Sequence, residues 1–146
     1  MLFSEHFSGA WFFNLYQFGR PVLRLHTHSL DITICQNFKS RLLGLYLSQP
    51  IGARQAVLLS KCNCVHTFGM REPLSLVFLD KHFSIVREQI NASPIRVYGC
   101  FKARHVIEMA RKTNETFEQI RSEILLLRQD PFIVEHLDKR RIKTSV

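Results

Sequence analysis

Short apolar segments with the two-residue period of β-strands are the feature of this sequence that most restricts its fold. Within residues 22–34, leucine and isoleucine alternate with charged or polar residues in two successive stretches, as in strands with one buried face. Residues 56–59 and Leu74–Leu79 are continuous apolar runs of strand length. The polar residues 80–82 separate the second run from another extended stretch at 84–90, which predicts a β-hairpin.

Two segments change to the spacing of an α-helix. In residues 37–47 the apolar positions fall three and four apart, which predicts a short helix. Thr113 or Asn114 is a suitable cap for a second helix. The apolar side of that helix is formed by Phe117, Ile120 and Ile124. Residues 104–109 fit either a strand or a helix, so the chain is predicted to be α+β with more strand than helix.

The chain has the length of a single domain. A chain of 146 residues buries about 70% of the surface of its unfolded form. Its 46% hydrophobic and 22% charged residues are an ordinary globular composition. We interpret residues 1–20 as an aromatic-rich arm, 21–130 as one β-rich domain and 131–146 as a basic tail, and we expect residues 138–146 to be loose. No apolar run reaches the roughly 18 residues of a membrane-spanning helix, so no transmembrane segment is predicted.

The amino-terminal arm is rich in aromatic residues. Phe3, Phe7 and Trp11 recur at a spacing of four, which would place them on one side of a helix. The arm lacks the basic start and the continuous apolar core of a signal peptide. Two interpretations remain: the arm docks on a protein partner or a membrane surface, or it packs on its own domain or on a second copy of the chain in a homo-oligomer.

The sequence contains one run of metal-ligating residue types, Cys62-x-Cys64-x-His66. Two thiolates and an imidazole are half of a zinc or copper(I) site. A fourth ligand would come from His26, His28 or Cys100. Three alternate residues on a straight strand span roughly 14 Å, so the strand would have to bend around a metal. The alternative is a set of half-buried small residues, with no cofactor and reduced thiols in a cytoplasmic protein.

Basic residues outnumber acidic ones, and the formal net charge is +8. The densest basic segment contains Arg96, Lys102, Arg104, Arg111 and Lys112. Only Glu108 interrupts it. Such a segment attracts nucleic acid, anionic lipid or an acidic partner. The other interpretation is a solvated surface, since no groove-reading motif accompanies the charge.

Three sequence runs resemble a known family. They are RLLGL at residues 41–45, CNCVHTFGMREP at 62–73 and VFLD at 77–80. Together they resemble the bacterial and archaeal domain-of-unknown-function family 192, over about residues 22–127. The resemblance implies a compact, mostly antiparallel β, barrel-like domain with short helices, and it implies no activity.

The chain departs from the family pattern toward its carboxy terminus. The family usually has a Pro-Ala-Gly turn at residues 110–112, where this chain has Ala-Arg-Lys. It often has a Gly-Asp turn where this chain has Arg121-Ser122-Glu123. We therefore expect the carboxy-terminal third to be more helical than in a typical member.

The turn at residues 66–73 is the preferred ligand site. His66, Thr67, Gly69 and Met70 would form a pocket wall, because glycine permits unusual backbone conformations and methionine makes adaptable apolar contacts. Arg71 would add a polar contact. Asp80, which ends the following apolar run, is included as a ligand-binding candidate. The alternative is that this turn only joins two strands.

Catalytic residue types are present without the arrangement that catalysis needs. Cys64, His66 and Asp80 are of the types found in a nucleophile, a base and an orienting acid. No sequence device fixes their geometry, and no glycine-rich phosphate loop occurs. The sequence therefore favours a non-enzymatic binding or adaptor domain. A metal- or thiol-dependent enzyme or sensor, and sequence-independent nucleic-acid binding through residues 96–112, are the alternatives.

Overall fold

The computed structural model describes residues 6–7, 10–17, 20–35 and 52–138, and these form two β-sheets and two helices. The strands are β1 His6–Phe7, β2 Ala10–Gln17, β3 Arg20–His26, β4 Asp31–Cys35, β5 Gln55–Ser60, β6 Cys64–His66, β7 Leu74–Leu79, β8 Ile85–Ala92, β9 Val97–Gly99 and β10 His105–Ala110. The helices are α1 Asn114–Leu127 and α2 Pro131–Asp138. The predicted helix at 37–47 lies outside the described residues.

Eight strands form the main sheet, in the order β1-β2-β3-β4-β5-β10-β7-β8. All neighbours are antiparallel except β4 and β5, which are parallel. This confirms the mostly β, α+β prediction. The expected barrel is wrong, because β1 and β8 are the two edges of the described sheet and do not pair with each other. The remaining strands, β6 and β9, pair antiparallel as a separate small sheet.

The main sheet is buried on both of its faces. On the first face, Leu58 and Ile107 pack in one cluster with Phe117 of α1 and Ile133 of α2. The second face carries Cys35, Val57, Leu59, Leu74, Leu76, Phe78 and Val106. Val65 of β6 belongs to that second cluster and Tyr98 of β9 packs against it. The helices therefore cover the first face, and the small sheet covers the second.

Helix α1 begins where the sequence predicts. Thr113 is its N-cap, and the Thr113 side chain accepts a hydrogen bond from the Thr116 backbone N–H at 3.3 Å. The predicted apolar side is buried. On its other side, Arg121 forms an ion pair of 2.7 Å with Glu88 of β8. Capping, burial and this ion pair together hold α1 on the first face.

The first part of the predicted basic tail, Pro131–Asp138, is helix α2, and the stretch predicted to be loose lies, beyond Asp138, outside the described residues. Pro131 is the first residue of α2, and Ile133 and Leu137 are buried in the first-face cluster. Asp130 accepts a hydrogen bond from the Ile133 backbone N–H at 3.4 Å. Asp-Pro therefore starts a helix here, because proline is favoured at the first helical position and lacks only an N–H that would have no partner there.

The aromatic arm is extended in the described residues rather than helical. Phe7 lies in β1 and Trp11 in β2, and β2 pairs with β3 along its whole length. The helical spacing of these aromatic residues is therefore not realised, while the predicted strands at 22–34, 56–59 and Leu74–Leu79 are confirmed. Neither described helix is long and apolar enough to cross a membrane.

Candidate functional site

The small sheet has one inner and one outer side. Val65 of β6 is 6% exposed and is the register partner of Tyr98. The neighbouring pairs, Cys64 with Gly99 and His66 with Val97, are exposed to solvent. Side chains alternate along a strand, so burial of the first pair directs the other two pairs outward.

Large apolar side chains are exposed on and beside this outer side. Val97 is 59% exposed, and Ile95 and Phe101, two residues before β9 and two after it, are 71% and 87% exposed. Phe68 is 44% exposed, and its ring stacks on His66 with 5.4 Å between centroids. We call these four side chains, Phe68, Ile95, Val97 and Phe101, the exposed apolar face. Away from it, the large hydrophobic side chains exposed in the described chain are Leu125 and Leu126 of α1.

Thr67 fixes the loops at one end of this face. Its side chain is buried, and its hydroxyl donates to the Ser93 carbonyl at 2.7 Å and accepts from the Arg96 backbone N–H at 3.0 Å. The Thr67 carbonyl accepts from the Ile95 N–H at 3.1 Å and from the Met70 N–H at 3.2 Å. The structure therefore places this predicted ligand residue in the joint between two loops.

The other predicted turn residues are divided between surface and interior. Gly69 is exposed and has a φ of 81°, which favours glycine because other residues are strained there. Arg71 is exposed, as is His66. Met70 is half-buried and packs against the second-face cluster. The turn thus presents His66, Gly69 and Arg71 beside Phe68, with Met70 beneath them.

Asp80 has a different position. Its carboxylate accepts hydrogen bonds from the backbone N–H groups of His82 at 2.8 Å and Ser84 at 2.9 Å. It thereby closes the predicted hairpin between β7 and β8. The six residues of β7 separate Asp80 from the turn by roughly 20 Å, so the structure does not bring Asp80 to the turn.

The cysteine-histidine run is not arranged as a metal site. The Cys62 thiol donates to the Cys64 carbonyl at 3.1 Å. Among the residues that the structure describes, no group of three or more His, Cys, Asp or Glu side chains is placed to hold a metal ion. None of the four cysteines forms a disulfide.

The predicted basic segment separates into two groups. Arg96, Lys102 and Arg104 are exposed near the exposed apolar face, and the Lys102 ammonium lies 5.9 Å from the centroid of the Phe101 ring. Arg111 and Lys112 follow the other end of β10. Lys112 is buried against the Ala53 carbonyl, and burial lowers the pKa of its ammonium. A single continuous basic patch is therefore not present.

Glu108 is a site residue that the sequence reasoning missed. It lies in the middle of β10, between Val57 of β5 and Leu76 of β7, and is 8% exposed. Burial raises the pKa of its carboxyl to about 7. In the sequence, Glu108 stands out only as one acid among basic residues. No local pattern signals its burial, because an acid between Ile107 and Met109 in a strand points away from both and normally faces solvent.

The fold and the site define a class of protein: a small α+β domain with an open sheet and a two-stranded layer that presents apolar side chains to solvent. The family model of DUF192, described as “Uncharacterized ACR, COG1430”, matches residues 22–120. The chain therefore belongs to this family, as the sequence runs predicted. A search of curated proteins gives no significant match.

Two solved structures share the fold. One is a putative transcription regulator from Sinorhizobium meliloti, with 17% identity and a TM-score of 0.55, over 64% of this chain and 78% of that one. The other is a protein of unknown function from Novosphingobium aromaticivorans, with 10% identity and a TM-score of 0.54, over 75% of this chain and 82% of that one. At these identities the likeness concerns the fold alone.

Proposed function

We propose that this chain is a non-enzymatic binding domain of the cytoplasm that docks an acidic, apolar segment of a partner protein on the exposed apolar face. The observation that carries this proposal is the exposure of Phe68, Ile95, Val97 and Phe101 around one small sheet. Exposed apolar side chains that occur together, rather than singly, are typical of interaction sites.

The shape of the exposed apolar face is held by a set of hydrogen bonds, of which those of Thr67 are part-buried. Besides the contacts of Thr67, the Tyr98 hydroxyl accepts from the Ser93 backbone N–H at 2.7 Å. The Arg87 guanidinium donates to the Gly99 carbonyl at 2.6 Å. A face that is already ordered loses little conformational entropy when a partner binds. Aromatic side chains such as Phe68 and Phe101 are enriched in the cores of protein interfaces.

Charge indicates the chemistry of the partner. Residues 93–104 contain Arg96, Lys102 and Arg104 and no aspartate or glutamate. All three cations are exposed beside the exposed apolar face. Complementary charge around an apolar contact selects the partner and speeds association. These features favour a partner segment in which acidic and apolar side chains alternate.

A protein partner fits the surface better than a nucleic acid does. Phosphate binding depends on several cations along one track, but here Arg111 and Lys112 lie beyond the far end of β10 and Lys112 is buried. The surface between the exposed cations is apolar. The exposed apolar face therefore supports docking of a protein segment.

The test is binding of a fluorescein-labelled peptide in which glutamate alternates with leucine and valine, followed by fluorescence anisotropy. The double variant Val97→Ser/Phe101→Ser removes two of the four apolar side chains. We expect it to bind about tenfold more weakly or worse, equivalent to ~1.4 kcal/mol or more. Leu126→Ser is the matched control, because Leu126 is 58% exposed but lies on α1, and it should bind like the unmodified protein.

Four outcomes would overturn the proposal. The first is binding of the peptide by the double variant as tight as by Leu126→Ser. The second is equal binding of a peptide with lysine in place of glutamate, and the third is tighter binding of a single-stranded oligonucleotide that the double variant loses. Light scattering supplies the fourth: dimers that Val97→Ser/Phe101→Ser converts to monomers would assign the exposed apolar face to a second copy of the chain.

A further inference from the structure

Glu108 lies on the face of the main sheet against which the small sheet packs. Alternation along β10 places it on the second face of the main sheet, two residues from Val106 of the second-face cluster. Its register partners Val57 and Leu76 belong to the same cluster, which also includes Val65 of the small sheet. Glu108, 8% exposed, is therefore an acidic side chain of the described face on which β6 and β9 pack.

No opposite charge compensates this carboxyl in the described chain. Glu108 forms no hydrogen bond or ion pair with any residue that the structure describes. Among the described residues, the titratable and charged side chains on this side of the main sheet are Arg24 and His26 on β3, Asp31 and Cys35 on β4, Arg87 on β8, Tyr98 on β9, Cys62 and Cys100 in the flanking loops, and Lys112 after β10. Burial among apolar neighbours disfavours the ionised form of a carboxyl that no opposite charge compensates.

We propose that Glu108 makes the exposed apolar face responsive to pH. When the Glu108 carboxyl is neutral, the small sheet packs on the main sheet; we call this the closed form. When the carboxyl loses its proton to water, the open form is favoured, in which the small sheet has moved away and water hydrates the carboxylate. This inference rests on the proposed function only in naming the face as a docking site. The opening itself is a property of the fold and has its own readout.

The direction of the pH effect follows from burial. The folded protein holds the pKa of Glu108 at about 7, above the ordinary value of 4.5. Because the pKa of Glu108 is higher in the closed form, this carboxyl stabilises the closed form fully at pH values below its ordinary pKa of 4.5. That stabilisation is lost as the pH rises through the folded pKa of about 7. The loss corresponds to about two orders of magnitude in the equilibrium constant for opening.

The experiment is amide hydrogen exchange, corrected for intrinsic rates, from about pH 5.5 to about pH 8.5, a range on both sides of the raised pKa. We expect the protection of Val65 and Tyr98 to fall tenfold to about a hundredfold across this range. Leu58 and Ile107, in the centre of the main sheet, should keep their protection. In Glu108→Gln, which cannot ionise, the protection of Val65 and Tyr98 should not change with pH.

Two further variants keep the test decisive. Glu108→Leu replaces Glu108→Gln if the buried amide prevents folding. Glu115→Gln removes an exposed carboxylate from α1 and should behave like the unmodified protein. The inference is overturned if Val65 and Tyr98 show no pH dependence, if Glu108→Gln keeps that dependence, or if Leu58 and Ile107 lose protection to the same extent.

The same samples separate this inference from the proposed function. If the glutamate-leucine-valine peptide fails to bind at every pH while exchange at Val65 and Tyr98 remains pH-dependent, docking is wrong and the pH response stands. If the peptide binds equally in the unmodified protein and in Glu108→Gln at every pH, and exchange does not change, docking stands and the pH response is wrong.

Discussion

Replacing Thr67 with valine would remove one hydroxyl from the joint between two loops. Valine has nearly the shape of threonine, but it cannot hydrogen-bond. The Ser93 carbonyl and the Arg96 N–H therefore lose the hydroxyl that they contact in the native protein. We expect the free energy of unfolding to fall by about 1–3 kcal/mol, measured by chemical denaturation. Gln119→Ala, at an exposed position of α1, should change it by about 0.5 kcal/mol or less. Equal stability of the two variants would contradict the anchoring role of Thr67.

At the scale of residues, sequence located the turn but did not assign its members. His66, Gly69 and Arg71 are exposed as a ligand site would require, whereas Thr67 is 1% exposed. That difference depends on Ser93 and on its neighbours in the loop before β9, which contact Thr67 from 26 or more residues away. No local pattern contains that information. Whether His66, Gly69 and Arg71 bind a ligand stays a prediction.

At the scale of elements, one carboxylate joins α1 to the turn between β3 and β4. Glu123 accepts hydrogen bonds from the Thr27 hydroxyl at 2.5 Å, the Ser29 hydroxyl at 2.5 Å and the Ser29 N–H at 3.0 Å. Burial raises the pKa of Glu123, but the hydrogen bonds from Ser29 and Thr27 outweigh it, so the pKa is held below 4.5. The carboxylate form is therefore the one that the folded protein stabilises.

This arrangement predicts how stability changes in acid. Because the folded pKa of Glu123 is lowered, its contribution is present above about pH 4.5 and is lost as the pH falls through the folded value. Glu123→Gln should be less stable than the unmodified protein at neutral pH, and the difference should shrink in acid. Chemical denaturation from about pH 7 to about pH 3 measures it. Glu115→Gln, at an exposed position of α1, should match the unmodified protein, and a constant gap for Glu123→Gln would contradict the prediction.

Sequence predicted the strands better than the aromatic arm for a physical reason. A spacing of four residues places side chains on one side of a helix, but four is also an even number and is compatible with the period of a strand. Aromatic residues such as Phe7 and Trp11 also favour strands, and both lie in strands here. In contrast, Leu30, Ile32 and Ile34 alternate with polar residues, a pattern that only a strand satisfies.

At the scale of the whole molecule, the two faces of the main sheet have different covers. Two helices cover the first face with buried side chains such as Phe117 and Ile133. Among the described residues, two three-residue strands pack on the second face, with Met70 and Cys100 of the neighbouring loops. Short strands with exposed backbone hydrogen bonds open at a lower free energy than the centre of a large sheet. The proposed docking surface and the proposed pH response both involve this small sheet.

The domain extends beyond residue 130 if α2 is part of the folded core. Ile133 and Leu137 are 1% and 2% exposed in the first-face cluster, although the sequence indicated a basic tail outside the domain from residue 131. We expect Ile133→Ala and Leu137→Ala each to lower the free energy of unfolding by about 2–5 kcal/mol, since each leaves a cavity in the core. Leu126→Ala, at an exposed position of α1, should cost about 0.5 kcal/mol or less in the same denaturation series. If Leu137→Ala were as stable as Leu126→Ala, α2 would not be part of the core, and the domain would end at residue 130 as the sequence predicted.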